Sequence, residues 1–360
     1  MFLSEKNIQT IKDLQADGIK QKQLTKEHLE LIYTENWFNL WVPKNLNGLE
    51  VDFLDGLYFI KDLAYEDGGL AWTVTLCAGA NMFAGFLDPE LATQIWQNPK
   101  ICLGGSGAAS GKAKWDGDNY EISGFWKYAT GAPHLNYFTL NAEIWEGGKA
   151  KLDDKGEKII RSFLVPKDQV LVHYDWDTFG LECTASHSFS VDRVKVPENF
   201  SFELKPEAKT VSSPLFEIPF MCFAELTLAM NYIGMFDRFC DLIHRKLFQK
   251  AGNPNVNEEE IGDTFMFLDQ LISENKERTN LLTDFAMDIW EQVKTSQAKV
   301  EDNLLSKVSE QARDHVKWIR LKTAELLPIG GISAAQKEEQ LNIVLRNLLT
   351  ASQHSLLNRY

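Results

Sequence analysis

The sequence predicts an α+β chain built as helices, then strands, then helices again. Three observations carry that reading. Apolar residues recur at helical spacing through residues 1–101, alternating runs broken by glycine turns fill residues 102–206, and four long helical stretches occupy residues 207–360. At 360 residues the chain exceeds the usual size of one core, so several packed layers or subdomains are expected.

In the first part, Ile8, Ile11, Leu14 and Ile19 share a helix face, and Leu29, Ile32 and Trp37 follow in a second segment. Val42–Glu50 is a Pro/Asn/Gly connector. Asp55–Tyr65 opens a helical pair whose second member, Leu70–Leu87, is uncharged over 18 residues, close to the shortest membrane span. Thr73, Thr75, Asn81, Gly79 and Gly85 interrupt it and acidic turns flank it, so a buried core helix is expected rather than a membrane segment. Asp88-Pro89 supplies an N-cap and a first-turn proline for another short helix.

The middle part reads as strands from about Ile101. Asp116-Gly117 marks a hairpin tip, and Glu146-Gly147-Gly148 and Asp154-Lys155-Gly156 mark further turns. Ile159–Val165, Val170–Tyr174 and Ser188–Val196 are β-rich. After the Pro/Ser stretch Lys205–Pro214, helices are expected over 220–249, 257–293, 297–327 and 337–358, with breaks at Asn253-Pro254-Asn255 and Pro328-Ile329-Gly330-Gly331.

Apolar content of 44% and a net charge of −14 without any basic cluster argue against nucleic-acid binding. The five cysteines (Cys77, Cys102, Cys183, Cys222 and Cys240) are scattered and lack C-x-x-C spacing, which predicts buried thiols in a reducing compartment. The N-terminus lacks a basic region followed by an apolar run, so a cytoplasmic location is expected. Seven histidines form no H-x-x-x-H pair, and no metal is expected.

The most informative segment is Tyr120–Tyr137, Y-E-I-S-G-F-W-K-Y-A-T-G-A-P-H-L-N-Y. A strand breaks at Gly124, and an aromatic-rich turn presents Tyr128, Thr130 and Gly131. A hydroxyl between an aromatic ring and a glycine suits a flat heterocycle: the ring stacks, the hydroxyl makes one in-plane hydrogen bond, and the glycine admits close approach.

Four stretches, in order, resemble the acyl-CoA dehydrogenase superfamily of flavoproteins over essentially the whole chain. They are W-V-P-K-N-L-N-G-L-E (Trp41–Glu50), A-Y-E-D-G-G-L-A-W (Ala64–Trp72), W-D-G-D-N-Y-E-I-S-G-F-W-K-Y-A-T-G (Trp115–Gly131) and D-T-F-G-L-E-C-T-A-S-H-S-F-S-V-D-R-V-K-V-P (Asp177–Pro197). The resemblance implies an N-terminal helical domain (1–101), a middle β-barrel or sandwich domain (102–206) and a C-terminal four-helix bundle (207–360). It further implies a flavin, FAD or FMN, between the β domain and the last bundle, bound in a homo-oligomer, a tetramer. By position Thr130, followed by Gly131, matches the hydroxyl that bonds flavin N5, and Tyr128 an aromatic against the ring. Thr184 and Ser186 match small hydroxyls of the family pattern, with Glu182 where an arginine is usual.

The two enzyme classes of that superfamily need different residues. Dehydrogenation needs a carboxylate base, yet counting from Arg346 places Ser355 at its usual position, with His354 beside it. The alternative carboxylate, Glu225, lies one residue out of register and could instead pair with Arg238 or Arg245. The run R-N-L-L-T-A-S-Q-H (Arg346–His354) resembles the ending of the flavin-dependent monooxygenase branch, which takes reduced flavin from a separate reductase and uses O₂ on a small-molecule substrate. A histidine there can hold a proton during oxygen transfer, and His134 matches a substrate-side histidine. Asn347 replaces the usual Asp, and Ala80 stands where some aromatic hydroxylases place a histidine. The favoured expectation is a monooxygenase-like flavoenzyme. The alternatives are an acyl-CoA dehydrogenase using Glu225 and a non-catalytic scaffold that keeps the fold.

Two further patterns fail. G-G-S-G-A-A-S-G (Gly104–Gly111) has Ser110 at the third glycine place of a dinucleotide fingerprint and precedes a hairpin where a helix is required. Arg245–Lys250 is similar to a family segment that reaches a neighbour's FAD, but Gln249 replaces its glycine, so FAD against FMN stays open.

Overall fold

A computed structural model describes residues 3–254, 257–295 and 299–358. Asn255 of one expected break and the expected helix start at 297 lie outside the described residues. Short side chains placed at helix starts set the first elements. Ser4 accepts the Asn7 N–H ahead of α1 (Glu5–Gln21), and Thr25 with His28 forms a reciprocal cap on α2 (Lys26–Thr34). Asp52 caps α3 (Phe53–Glu66), and Asp67 accepts from Gly69 and Leu70 at the start of α4 (Gly68–Asn81). Asp88 and Pro89 start α5 (Pro89–Ile95) as the sequence requires.

The uncharged stretch breaks after Asn81 into a short 3₁₀ turn, Met82–Gly85. Among the described residues no helix is long and apolar enough to cross a membrane. Asn81 explains the break. Its amide donates to Asn39 Oδ1 at 2.8 Å and to the Ile101 carbonyl at 3.2 Å, and its oxygen accepts the Leu103 N–H at 2.7 Å. A buried amide that satisfies three partners fixes where the helix ends and the first strand begins.

The strands are β1 (Leu103–Trp115), β2 (Asn119–Ala129), β3 (Tyr137–Glu146), β4 (Lys149–Ala150), β5 (Ile160–Pro166), β6 (Leu171–His173), β7 (His187–Pro197) and β8 (Ser201–Phe202). They form one sheet ordered β6-β7-β2-β1-β3-β5-β8, with β4 on β3. Asp116-Gly117 closes the β1–β2 hairpin, with Trp115 opposite Tyr120. All pairings are antiparallel except β1 with β3. The β1–β3 register shifts between Ser106 and Gly111, so the glycine-rich run is a bulge in a strand.

After the sheet come α6 (Phe220–Ala251), α7 (Glu258–Thr295), α8 (Asp302–Leu326) and α9 (Gln340–Ala351). The last helix is shorter than the expected 337–358. Ser352 turns its hydroxyl back to the Leu349 carbonyl at 2.9 Å, and His354 therefore sits in the turns beyond α9. Both helical parts share one core. Phe223 of α6 lies 6.1 Å from Phe53 and 5.2 Å from Trp41, and Trp290 of α7 donates to Asp52 at 3.0 Å. The buried apolar cluster runs without interruption from Ile11 to Leu357.

Candidate functional site

β2 ends by delivering Thr130 to the interior, where it is 8% exposed. Gly131 follows at φ +75°, a backbone state that a side chain disfavours, and its N–H donates to the Thr184 carbonyl at 2.8 Å. That bond brings Thr184 and Ser186, far away in sequence, onto Thr130. Ser186 Oγ lies 2.9 Å from Thr130 Oγ1 and 2.8 Å from Thr184 Oγ1, and the Thr184 hydroxyl lies 2.8 Å from the Leu181 carbonyl.

The chain of hydroxyls has a direction. A carbonyl can only accept, so Thr184 spends its proton on Leu181. Ser186 must then donate to Thr184, and Thr130 must donate to Ser186. The Thr130 oxygen is left with lone pairs and no free proton. Any further partner at that atom has to be a hydrogen-bond donor.

Beside it, Tyr128 is 45% exposed and meets Trp176 edge-on with centroids 5.2 Å apart. Phe125 is also exposed, and the bulge Gly107–Ala109 presents only small groups to solvent. An added methyl at Gly107 would meet nothing within 4 Å.

The loop carrying Thr184 and Ser186 is pinned by α9. Asn347 accepts the Leu181 N–H at 2.7 Å, and Arg346 pairs with Glu182 and donates to the Phe179 carbonyl and to Asn342. Gly180 permits this approach, because a methyl there would lie 2.1 Å from the Arg346 carbonyl oxygen. Two of the positions that departed from the family pattern, Glu182 and Asn347, thus meet the same helix–loop contact. Their shared oddity was the available signal, but nothing local linked them.

The remaining expected residues lie elsewhere. His354 meets Trp72 of α4 edge-on at 5.9 Å, its Nδ1 accepts the Leu356 N–H at 3.3 Å, and burial lowers its pKa to about 4. Glu225 pairs with neither Arg238 nor Arg245. It binds Arg313 of α8 at 2.6 Å and accepts from Ser309 at 3.0 Å, while Arg238 lies over the Tyr65 ring. The expected partners were near in sequence; the actual one comes from a helix 88 residues further on. Its carboxylate oxygen Oε1 is thus already engaged by a guanidinium and a hydroxyl.

His134 lies beneath Gly131, stacked on Phe38 at 5.7 Å, and joins Cys77 and Cys102. The ligand atoms of the three lie within 4.8 Å of one another. The hydrogen bond from Cys102 and the neighbouring His134 hold the Cys77 thiol below the ordinary thiol range, and burial raises Cys102. Local spacing gave no reason to expect a metal, but folding gathers three ligand-type side chains from separate stretches.

The architecture is the acyl-CoA-dehydrogenase-like fold of flavin-dependent monooxygenases. XiaF from Streptomyces, solved in complex with FADH2 and glycerol, superposes with a TM-score of 0.88 over 98% of this chain and 90% of that one, at 21% identity. No family model matches the chain. Indole-3-acetate monooxygenase of Pseudomonas putida is 24% identical over 217 residues, 60% of this chain and 54% of that protein. The FADH(2)-dependent resorcinol hydroxylase, oxygenase component, of a Rhizobium species is 22% identical over 223 residues, 59% and 53% of the two chains. The chain's homologues are flavin-dependent monooxygenase components, and the matched region spans just over half their length.

Proposed function

We propose that this chain is the oxygenase component of a flavin-dependent monooxygenase that uses reduced flavin and O₂ on a small organic substrate. The observation that supports this reading is the direction of the hydroxyl chain. Thr130, the residue the family resemblance sets against flavin N5, offers only lone pairs. Reduced flavin carries a proton on N5 and can donate; oxidised flavin has a bare nitrogen there and cannot. The residues present therefore fit FADH2 better than FAD. Reduced flavin, when bound, supplies the two electrons that allow one oxygen atom of O₂ to enter a substrate.

On this reading Thr130 orients the flavin edge, Gly131 gives it room, and Thr184 and Ser186 set the polarity of Thr130. Tyr128 and Trp176 wall the ring on the exposed side. His354, neutral at physiological pH with Nδ1 accepting from Leu356, offers its Nε2–H to substrate without carrying charge. A separate flavin reductase supplies the reduced cofactor. FAD is favoured over FMN by the two FADH2-linked relatives. We also propose a homo-oligomer, a tetramer, located in the cytoplasm; exposed Met221, Phe248, Met266 and Leu321 on the C-terminal helices support association. Dehydrogenation with Glu225 as base loses support from its ion pair with Arg313.

The test is an anaerobic equilibrium titration with FAD and with FADH2. FADH2 should bind more tightly, and Ser186→Ala, which returns a free proton to Thr130, should narrow the gap about three- to tenfold, the worth of one hydrogen bond. Equal affinity for both redox forms would refute the reading. Uptake of neither would point to the scaffold alternative, and anaerobic bleaching of bound FAD by an acyl-CoA would establish the dehydrogenase.

A further inference from the structure

Under the Thr130–Gly131 turn, three segments converge. Cys77 comes from α4, Cys102 directly precedes β1, and His134 sits in the turn that follows Gly131. Cys77 and Cys102 are both 0% exposed. The Nε2 atom of His134 is buried and has no hydrogen-bond partner, although such atoms are rarely left alone. The ring is driven into this space: a methyl on Gly131 would lie 2.6 Å from that same Nε2 and 3.4 Å from Cys77 Sγ.

From this geometry we propose that Cys77, Cys102 and His134 are a binding site for one zinc ion. Two sulfurs and an imidazole nitrogen are a set that soft and borderline cations favour. All three ligand atoms lie within 4.8 Å of one another. A tetrahedral zinc with bonds of about 2.3 Å to sulfur and 2.0 Å to nitrogen needs ligand separations of roughly 3.5–3.8 Å, so small side-chain rotations close the site. The Thr130 carbonyl oxygen, 3.7 Å from Cys77 Sγ, can supply the fourth ligand.

Charge decides which cation. Both thiols are fully buried and the imidazole is partly so, and an uncompensated charge there is costly. Two thiolates and a neutral imidazole cancel Zn²⁺, whereas a monovalent copper ion would leave one negative charge. Binding releases the two thiol protons to solvent and oxidises nothing. The ion would join α4 to the sheet and fix the turn that carries Thr130, independently of whether a flavin is bound.

The experiment is metal analysis of the full chain, purified under reducing conditions and dialysed against a chelator. The wild type should retain about one zinc per chain, and Cys77→Ala and Cys102→Ala should each lose it. Because either variant could fail to fold, the wild type is also grown with Co²⁺ in place of zinc. A tetrahedral cobalt spectrum with thiolate-to-metal charge transfer is then expected. A wild type that holds no metal and shows no such band would overturn the proposal. So would variants that keep the metal, or a Cys77–Cys102 disulfide in the purified protein.

Discussion

The Glu225–Arg313 contact offers a test that separates a structural carboxylate from a chemical one. The side chains are 7% and 18% exposed, respectively, and the ion pair spans 2.6 Å. Arg313 also donates to the Leu356 carbonyl at 2.9 Å, tying α6 and α8 to the turn that holds His354. Glu225→Gln keeps the shape and one acceptor oxygen but removes the charge, leaving a guanidinium in a poorly hydrated place. Breaking a buried pair from one side costs about 3–5 kcal/mol, and the retained oxygen and the Leu356 carbonyl place this case near 3. For a chain of this size that corresponds to a melting temperature lower by about 4 °C. Replacing both partners, in Glu225→Met with Arg313→Met, should recover most of the loss, because no charge is then left uncompensated. Thermal unfolding followed by circular dichroism reads all three variants. If Glu225→Gln melts with the wild type yet abolishes turnover, the carboxylate is acting on substrate and the structural account is wrong.

Other outcomes follow from the same geometry. His28 and His354 have pKa values lowered to about 4, and His315 to about 3, chiefly by burial. A depressed imidazole pKa stabilises the fold fully above the unfolded value near 6.5 and loses that contribution as pH falls toward 4. The three ring signals in NMR should accordingly stay in the neutral position down to pH 5, and titration near 6.5 would contradict their burial. Gly180→Ala sets a methyl 2.1 Å from the Arg346 carbonyl oxygen and should cost about 1–3 kcal/mol and weaken flavin uptake, measured by denaturation and titration. Gly131→Ala combines a positive φ with the contact to His134 and should destabilise by about 1–2 kcal/mol or more, and a neutral result would mean the turn is not rigid.

Much of the scaffold was legible because its signals are local. Asp88-Pro89 states its own helix start, Asp116-Gly117 its hairpin, and each expected middle strand matches an observed one to within about two residues. The end of α9 was not legible, since the serine that turns the chain back reads as an ordinary helix residue until its hydroxyl direction is known. Site residues divide the same way. Thr130, Thr184 and Ser186 stood out through family resemblance, and the structure joins them. That Arg346 and Asn347 hold their loop, or that Glu225 faces Arg313, depends on pairings between residues 164, 166 and 88 positions apart. The Cys77, Cys102 and His134 group is hidden for the same reason: no fixed spacing records a triangle closed by three different segments.

The shared core of the two helical ends bears on how this polypeptide is born. Phe53 and Trp41 find their neighbour Phe223 only after some 170 further residues have left the ribosome, and Asp52 waits longer still for Trp290. The early helices must travel that interval with their greasy sides unburied, while the intervening strands are free to pair among themselves. Synthesis thus leaves a window in which holdase chaperones have a target, and it closes when α6 and α7 emerge.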